Sequence, residues 1–418
     1  MFTRYHFFFR IPLHVAACVV CWVTVAHACP FCSSLAPTLS DDLEEASVAV
    51  IAKFESISEQ ADEFFMCRLR ITKVIKGDPA LKNSVIEVLI QKQPAADSIF
   101  WLTGYGEDRI QWAAAKNISK SAVAYLQGLR GLQGSGAGRL EHFLGFLQHS
   151  DPLVAADAYN EFADASLTEI AGLRDKLDRR WVVGQVLDPS LPRHRRRLCW
   201  TFLSQCGKAA DAKLFDEAIS KRQADATFSL GMDAAISCYL SLGGENALAR
   251  IERDYLSNRE AEYLDSFAAI NAIRVHGTDL KQIPRQRLAR ALRSVLSRTD
   301  LADLVIPDLA RWEDWTALER IAELFEQSTE ADRFIRQAAV LYVKNCPLPR
   351  AANVLQRLKA IDPKAVELAE ASMMLYPGLA TVPVPSPADD AASTEIEKAS
   401  VPAVAEQPLS GFDETDGD

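Results

Sequence analysis

Cys29-Pro30-Phe31-Cys32 places two thiols three positions apart, the spacing of a dithiol that can close into a disulfide or exchange with one. A reactive pair of this kind normally sits at a helix N-terminus in a βαβ setting, where a thiol pKa is lowered. No such pattern surrounds Cys29. Ser33 stands where a haem attachment site requires His, so that chemistry is excluded. With Cys67 the pair makes three cysteines in one short segment, and a structural bridge in some pairing among Cys29, Cys32 and Cys67 is the expectation.

A second candidate is the basic run Arg193, Arg195, Arg196 and Arg197, interrupted only by His194. Such a run binds an anion or an acidic partner, including the acidic end of this same chain, or simply begins a solvated helix. Trp312 and Trp315 share one turn or inter-helix corner, the usual mark of packing. His142 and His149 are seven apart on one helix, without the further ligands a metal needs. The glycines between Gly131 and Gly138 lack the Lys-Ser/Thr ending of a phosphate loop and read as a linker. The adjacent carboxylates Asp41-Asp42 and Glu44-Glu45 suit a helix start. No catalytic residue, cofactor site or metal site is expected, and the chain reads as non-enzymatic.

The elements that position these residues fall into five parts. Residues 1–28 carry Arg4 and Arg10, an apolar stretch over Ile11–Val25 and the small-residue site Ala26-His27-Ala28, the pattern of a cleaved secretory signal. Cleavage leaves Cys29 at the mature N-terminus, with lipid attachment there as the lesser alternative. Seven cysteines then remain in a compartment where disulfides persist.

Residues 29–112 alternate apolar and polar side chains in "FFMCRLRITKVIKG", with "ASVAVIAKF", "SVIEVLIQ" and "SIFWLTG" beside it, and predict a small β domain. Residues 113–138 turn helical in "SKSAVAYLQGL" and end in the glycine linker. Residues 139–376 are a succession of amphipathic helices punctuated by Gly, Pro and Asp-Pro. Asp151 and Asp332 each precede apolar residues at +3 and +7, which predicts a capped helix burying one stripe at both places. Residues 377–418 are rich in Pro, Ala, Ser and acids and predict a disordered tail.

Through "SDPLVAADAYNEFA", "GGENALARIE" and "DRFIRQAAVLYVKNCPLPRAANVLQRL" the helical part resembles the HEAT-repeat family. "ADLVIPDLARWEDW" and "CPLPRAANVLQRLKAIDPKAV" resemble an uncharacterised family of exported bacterial HEAT-repeat proteins. These resemblances imply an α-solenoid that scaffolds protein–protein interaction. "WVVGQVLDPSLPRHRRR" departs from the pattern and leaves the register over Trp181–Arg197 open. At the other end, the Cys pair with "VAVIAKF" and "RLRITKVIKG" resembles the netrin-like, metalloprotease-inhibitor-like OB barrel. In that family a mature N-terminal Cys presents its amine and carbonyl to a protease zinc, a role that falls on Cys29. The spacing Cys-x-x-Cys departs from the inhibitors' Cys-x-Cys.

The formal net charge is −10, of which nine acids and one Lys after Ala380 contribute −8, leaving about −2 for the body. A near-neutral body excludes general nucleic-acid binding, which needs a basic face. The expectation is a multidomain α + β protein: an OB-like β domain, a HEAT-like solenoid and an acidic tail. It is exported to the periplasm or secreted, has no transmembrane segment after cleavage, and binds an envelope or extracellular protein. The alternatives are inhibition of a metalloprotease through Cys29, and thiol-disulfide chemistry at Cys29 and Cys32.

Overall fold

The computed structural model describes residues 29–32, 36–61, 64–106, 109–132, 136–329 and 332–375. The expected leader with its cleavage site and the acidic tail from 377 onward lie outside the described residues, as does Gly134 of the glycine cluster. Among the described residues the order of elements is an antiparallel sheet followed by fifteen α-helices, with one short helix, α1 (Leu39–Glu45), ahead of the sheet.

Strand β1 (Val48–Ala61) is the middle of the sheet. It pairs antiparallel with β2 (Phe64–Lys76) on one side and β4 (Ile99–Tyr105) on the other. Outward of β2 lies β3 (Val85–Ile90), and β5 (Gln111–Trp112) and β6 (Lys116–Ile118) pair with β4, giving the order β3-β2-β1-β4-β5 with β6 also on β4. The near-continuous apolar run Val48–Ala52 follows from this place, because a central strand is covered on both faces. Val48, Val50 and Ala52 join Cys67, Leu69, Ile71 and Phe100 in one core cluster. Ala49 and Ile51 point the other way and share a core with the helices. Along β2 the expected alternation holds: Cys67, Leu69 and Ile71 are buried, Arg68, Arg70 and Thr72 exposed. The sheet continues to Ile118, beyond the expected end at 112, because a three-residue polar edge strand carries no alternation to read.

The helices are α2 (Lys120–Leu129), α3 (Ala137–Leu144), α4 (Pro152–Ala163), α5 (Leu167–Ala171), α6 (Arg179–Val186), α7 (Arg193–Cys206), α8 (Lys213–Ala224), α9 (Met232–Ile251), α10 (Tyr263–Val275), α11 (Arg285–Ser294), α12 (Ala302–Arg311), α13 (Leu318–Gln327), α14 (Arg333–Asn345), α15 (Arg350–Ile361) and α16 (Pro363–Leu375). Asp151 caps α4 as expected, its carboxylate accepting from the Leu153 and Val154 amides. Asp332 does not cap α14. Its carboxylate accepts from the amide and hydroxyl of Thr329, the residue three before it, and so serves the preceding turn. The stripe it was expected to begin is nonetheless buried, at Ile335 and Ala339.

The Gly243-Gly244 pair interrupts the helical run, as glycine punctuation predicts. Gly244 has φ +58° and ψ −138°, conformational space open essentially to glycine, and it kinks α9 between two helical stretches. Gly277 is required for closeness instead: a Cβ there would lie 2.2 Å from the Trp312 ring, which packs the Trp312–Trp315 corner against the turn after α10. Contacts run chiefly between helices next or next but one in chain order: α6 on α7, α7 on α9, α9 on α10, α12 on α14, and α14 on α16, with α13 on α15 beside them. Among the described residues no helix is long and apolar enough to cross a membrane.

Candidate functional site

The Cys29–Cys32 turn is built into the helices, away from the sheet's own core. Pro30 pre-sets the turn, and the Cys32 amide donates to the Cys29 carbonyl at 3.0 Å. The Cys29 amide donates to the carbonyl of Ala163 at the end of α4, at 3.2 Å. Cys29, Phe31 and Cys32 belong to the helical core. The two sulfurs approach to 2.8 Å, longer than the about 2.05 Å of a disulfide bond.

Cys29 is 2% exposed and Cys32 8%. Burial pushes both thiols up. At Cys29 the hydrogen bonds from Cys32, the Phe31 backbone and Thr201 outweigh burial, and its pKa falls below the ordinary thiol value. At Cys32 burial and the neighbouring Cys29 act together and drive it well above, against the pull of Arg197. The geometry thus holds the two sulfurs against each other in the interior. It does not present an attacking sulfur to solvent, which exchange chemistry needs.

Cys67 lies on the opposite face of the sheet, fully buried with Val50 and Phe100, so the structure does not bring it to the pair. Cys199 and Cys238 are buried in helix faces and Cys346 just past the end of α14, and burial pushes the Cys199 thiol up to about 12.

Beneath Cys32 runs the basic run. Arg197 forks onto Asp233 of α9, Nε to Oδ1 at 2.9 Å and Nη2 to Oδ2 in a second short contact. Arg196 is fully buried; its guanidinium donates to the carbonyls of Ser229 and Asp188 and lies 4.0 Å from the centre of the Phe228 ring. Two of the four arginines expected to meet a partner are therefore interior ties, while Arg193, one turn earlier at the start of α7, stays exposed. Arg195 is half-buried and donates to the Leu147 carbonyl at 3.3 Å.

A second buried polar group joins the N-terminal segment to the helices. Asp157 of α4 accepts from the Leu39 amide at 2.7 Å and from the Tyr125 hydroxyl at 2.5 Å. Burial, helped by the nearby Glu161, raises its pKa to about 6. Glu161 is buried and paired with Arg139 of α3. Sequence reasoning passed over both carboxylates, although they stand four apart within the apolar window "LVAADAYNEFA", where a charge on the buried stripe marks an interior partner. Glu161 and Arg139 border a cleft of about 820 Å³ between α1, the β2 end and helices α2 to α4, lined also by Leu43, Ile75, Leu129 and Leu140. His142 packs against Tyr125, Phe143 and Phe146, and His149 Nδ1 accepts from the Asp151 amide, so neither faces the other as a ligand pair. Among the described residues no three His, Cys, Asp or Glu side chains are grouped to hold a metal.

No family model matches the chain, and neither the curated proteins nor the solved structures contain a match.

Proposed function

We propose that this chain is an exported, non-enzymatic interaction protein whose HEAT-like helical stack presents the binding face to an envelope or extracellular protein. The observation that carries the reading is that each helix packs chiefly on the next or next-but-one helix in the chain. Helices α7, α9, α10, α12, α14 and α16 begin at residues 193, 232, 263, 302, 333 and 363, intervals of 39, 31, 39, 31 and 30. That spacing falls in the roughly 20–50-residue range of stacked repeats, whose extended surfaces serve as binding faces. Side-chain ties run along the same stack, Arg197 to Asp233, Arg274 to Asp308 and Arg336 to Asp362, and Arg222 of α8 ties to Asp265 of α10 beside it. Tyr263 and Leu264 offer large exposed apolar groups at the start of α10.

The test is cross-linked capture from the native envelope on the full chain. Capture of one predominant partner should fall at least about tenfold, the cost of a lost buried anchor, in a Tyr263→Asp, Leu264→Asp variant. Capture untouched by that change but abolished by Leu89→Asp, at an exposed apolar side chain of β3, would move binding to the sheet and sink the reading.

The 2.8 Å sulfur contact favours one secondary role, a structural disulfide at Cys29 and Cys32. Closing it passes two electrons and two protons to a disulfide acceptor of the export compartment. Intact-mass analysis of the unreduced chain should show the loss of two hydrogens, removed by Cys32→Ser; a fully reduced mass from an oxidising compartment would reject the bridge. Metalloprotease inhibition gains no support here, since the Cys29 amide is already bonded to Ala163.

A further inference from the structure

The last two helices of one layer leave apolar side chains uncovered. Phe334 at the start of α14 is 59% exposed and Leu368 on α16 is 72% exposed. Between them lies a groove of about 510 Å³ that includes Ala365 and Ala369 and is flanked by Arg333 and Lys364. A third cation there, Arg336, is committed to Asp362 and to Ser328. Arg333 and Lys364 form no ion pair among the described residues, and the Arg333 guanidinium lies 4.9 Å from the centre of the Phe334 ring. The end units of a helix stack ordinarily turn a polar face outward. This end instead offers an apolar slot between two cations, complementary to an aromatic or aliphatic anchor followed by carboxylates.

The chain carries one such segment. Leu409-Ser410-Gly411-Phe412-Asp413-Glu414-Thr415-Asp416-Gly417-Asp418 sets two large apolar residues directly before four acids. It leaves the described fold from α16 itself, the helix that supplies Leu368. Thirty-six residues lie between Leu375 and Phe412. A chain of that length has a root-mean-square reach of about 33 Å, so the span to the groove is not limiting. The tether also makes the encounter intramolecular, at an effective concentration on the order of millimolar.

We propose that residues 409–418 dock into the α14–α16 groove of their own chain, with Phe412 against Phe334 and Leu368 and with Asp413 and Glu414 toward Arg333 and Lys364. The tail then covers the open end of the stack and competes with any partner for it. The contact is weak by area and relies on exposed charges, so salt loosens it. It stands apart from the partner-binding reading above, which concerns α10, and either can fail alone.

The experiment uses the full chain with a benzophenone amino acid in place of Phe412, irradiated at low protein concentration and mapped by mass spectrometry after digestion. The expected cross-links join position 412 to residues 333–337 and 364–369 of the same chain. Their yield should drop several-fold in an Arg333→Glu, Lys364→Glu variant and at high salt. Both positions are exposed, and circular dichroism of the variant verifies that the helices remain. Cross-links to other surfaces such as the start of α7, unchanged yield in the variant, or no cross-link at all would each overturn the proposal. Cross-links that join isotope-labelled to unlabelled chains would overturn it too, by assigning the groove to a second copy.

Discussion

Replacing Arg197 by Ala should destabilise the chain by about 3–5 kcal/mol, the cost of leaving one buried ion unpaired. The side chains of Arg197 and Asp233 are only 9% and 8% exposed, so water does not replace the lost guanidinium. Asp233 keeps one other tie, from the Ala234 amide at 2.9 Å, which is too little to hold a buried carboxylate. Burial by itself lowers the Arg197 pKa, but the Asp233 charge and hydrogen bonds outweigh burial and raise it. Attraction to one partner therefore dominates at this site. Arg197→Met with Asp233→Leu removes both charges while roughly keeping volume, and should cost less than about 1.5 kcal/mol. Urea unfolding of the two singles and the double measures the coupling. A loss below about 1 kcal/mol in Arg197→Ala would mean that the pair is solvated and not interior.

A second expected result is a pH-dependent gap between the wild type and Asp157→Asn. The folded pKa of Asp157, about 6, lies above the unfolded 3.8. The folded state thus holds this proton more tightly, and ionisation works against folding. Stability from the group is fully present below the unfolded pKa and is lost as pH rises through about 6. A carboxyl raised from 3.8 to about 6 loses about 3 kcal/mol of stability across that window. Asn does not ionise, and it retains an acceptor for the Leu39 amide and a donor for the Tyr125 oxygen. The advantage of the variant over the wild type should therefore be larger at pH 7.5 than at pH 3.5, by about 3 kcal/mol. Urea midpoints at the two pH values check it, and an equal gap at both would show that Asp157 is not perturbed. Hydrogen exchange at residues 38–46 supplies a second readout, because Leu39 is held by this carboxylate.

Much of the fold was legible because its signals are local. The alternation Cys67, Leu69, Ile71 marks a face of β2 without reference to any other strand. Asp151 before Val154 and Ala158 states a cap and a stripe within eight residues. The same reasoning failed at Asp332, where two acceptable uses of one carboxylate compete locally and Thr329 on the preceding turn takes it.

Sequence by itself determined the division into a sheet and a helical run, the faces each element buries, and the charge of the body and tail, since periodicity, turn residues and composition act over a few neighbours. Only the tertiary structure decided that Cys29 and Cys32 lie among α4 and α7 while Cys67 sits across the sheet, that Arg196 and Arg197 point inward, and that Asp157 holds Leu39. Those outcomes join residues far apart in the chain, Leu39 to Asp157 across 118 positions and Cys29 to Ala163 across still more, and a buried polar group takes its partner from whatever the packing brings within about 3 Å.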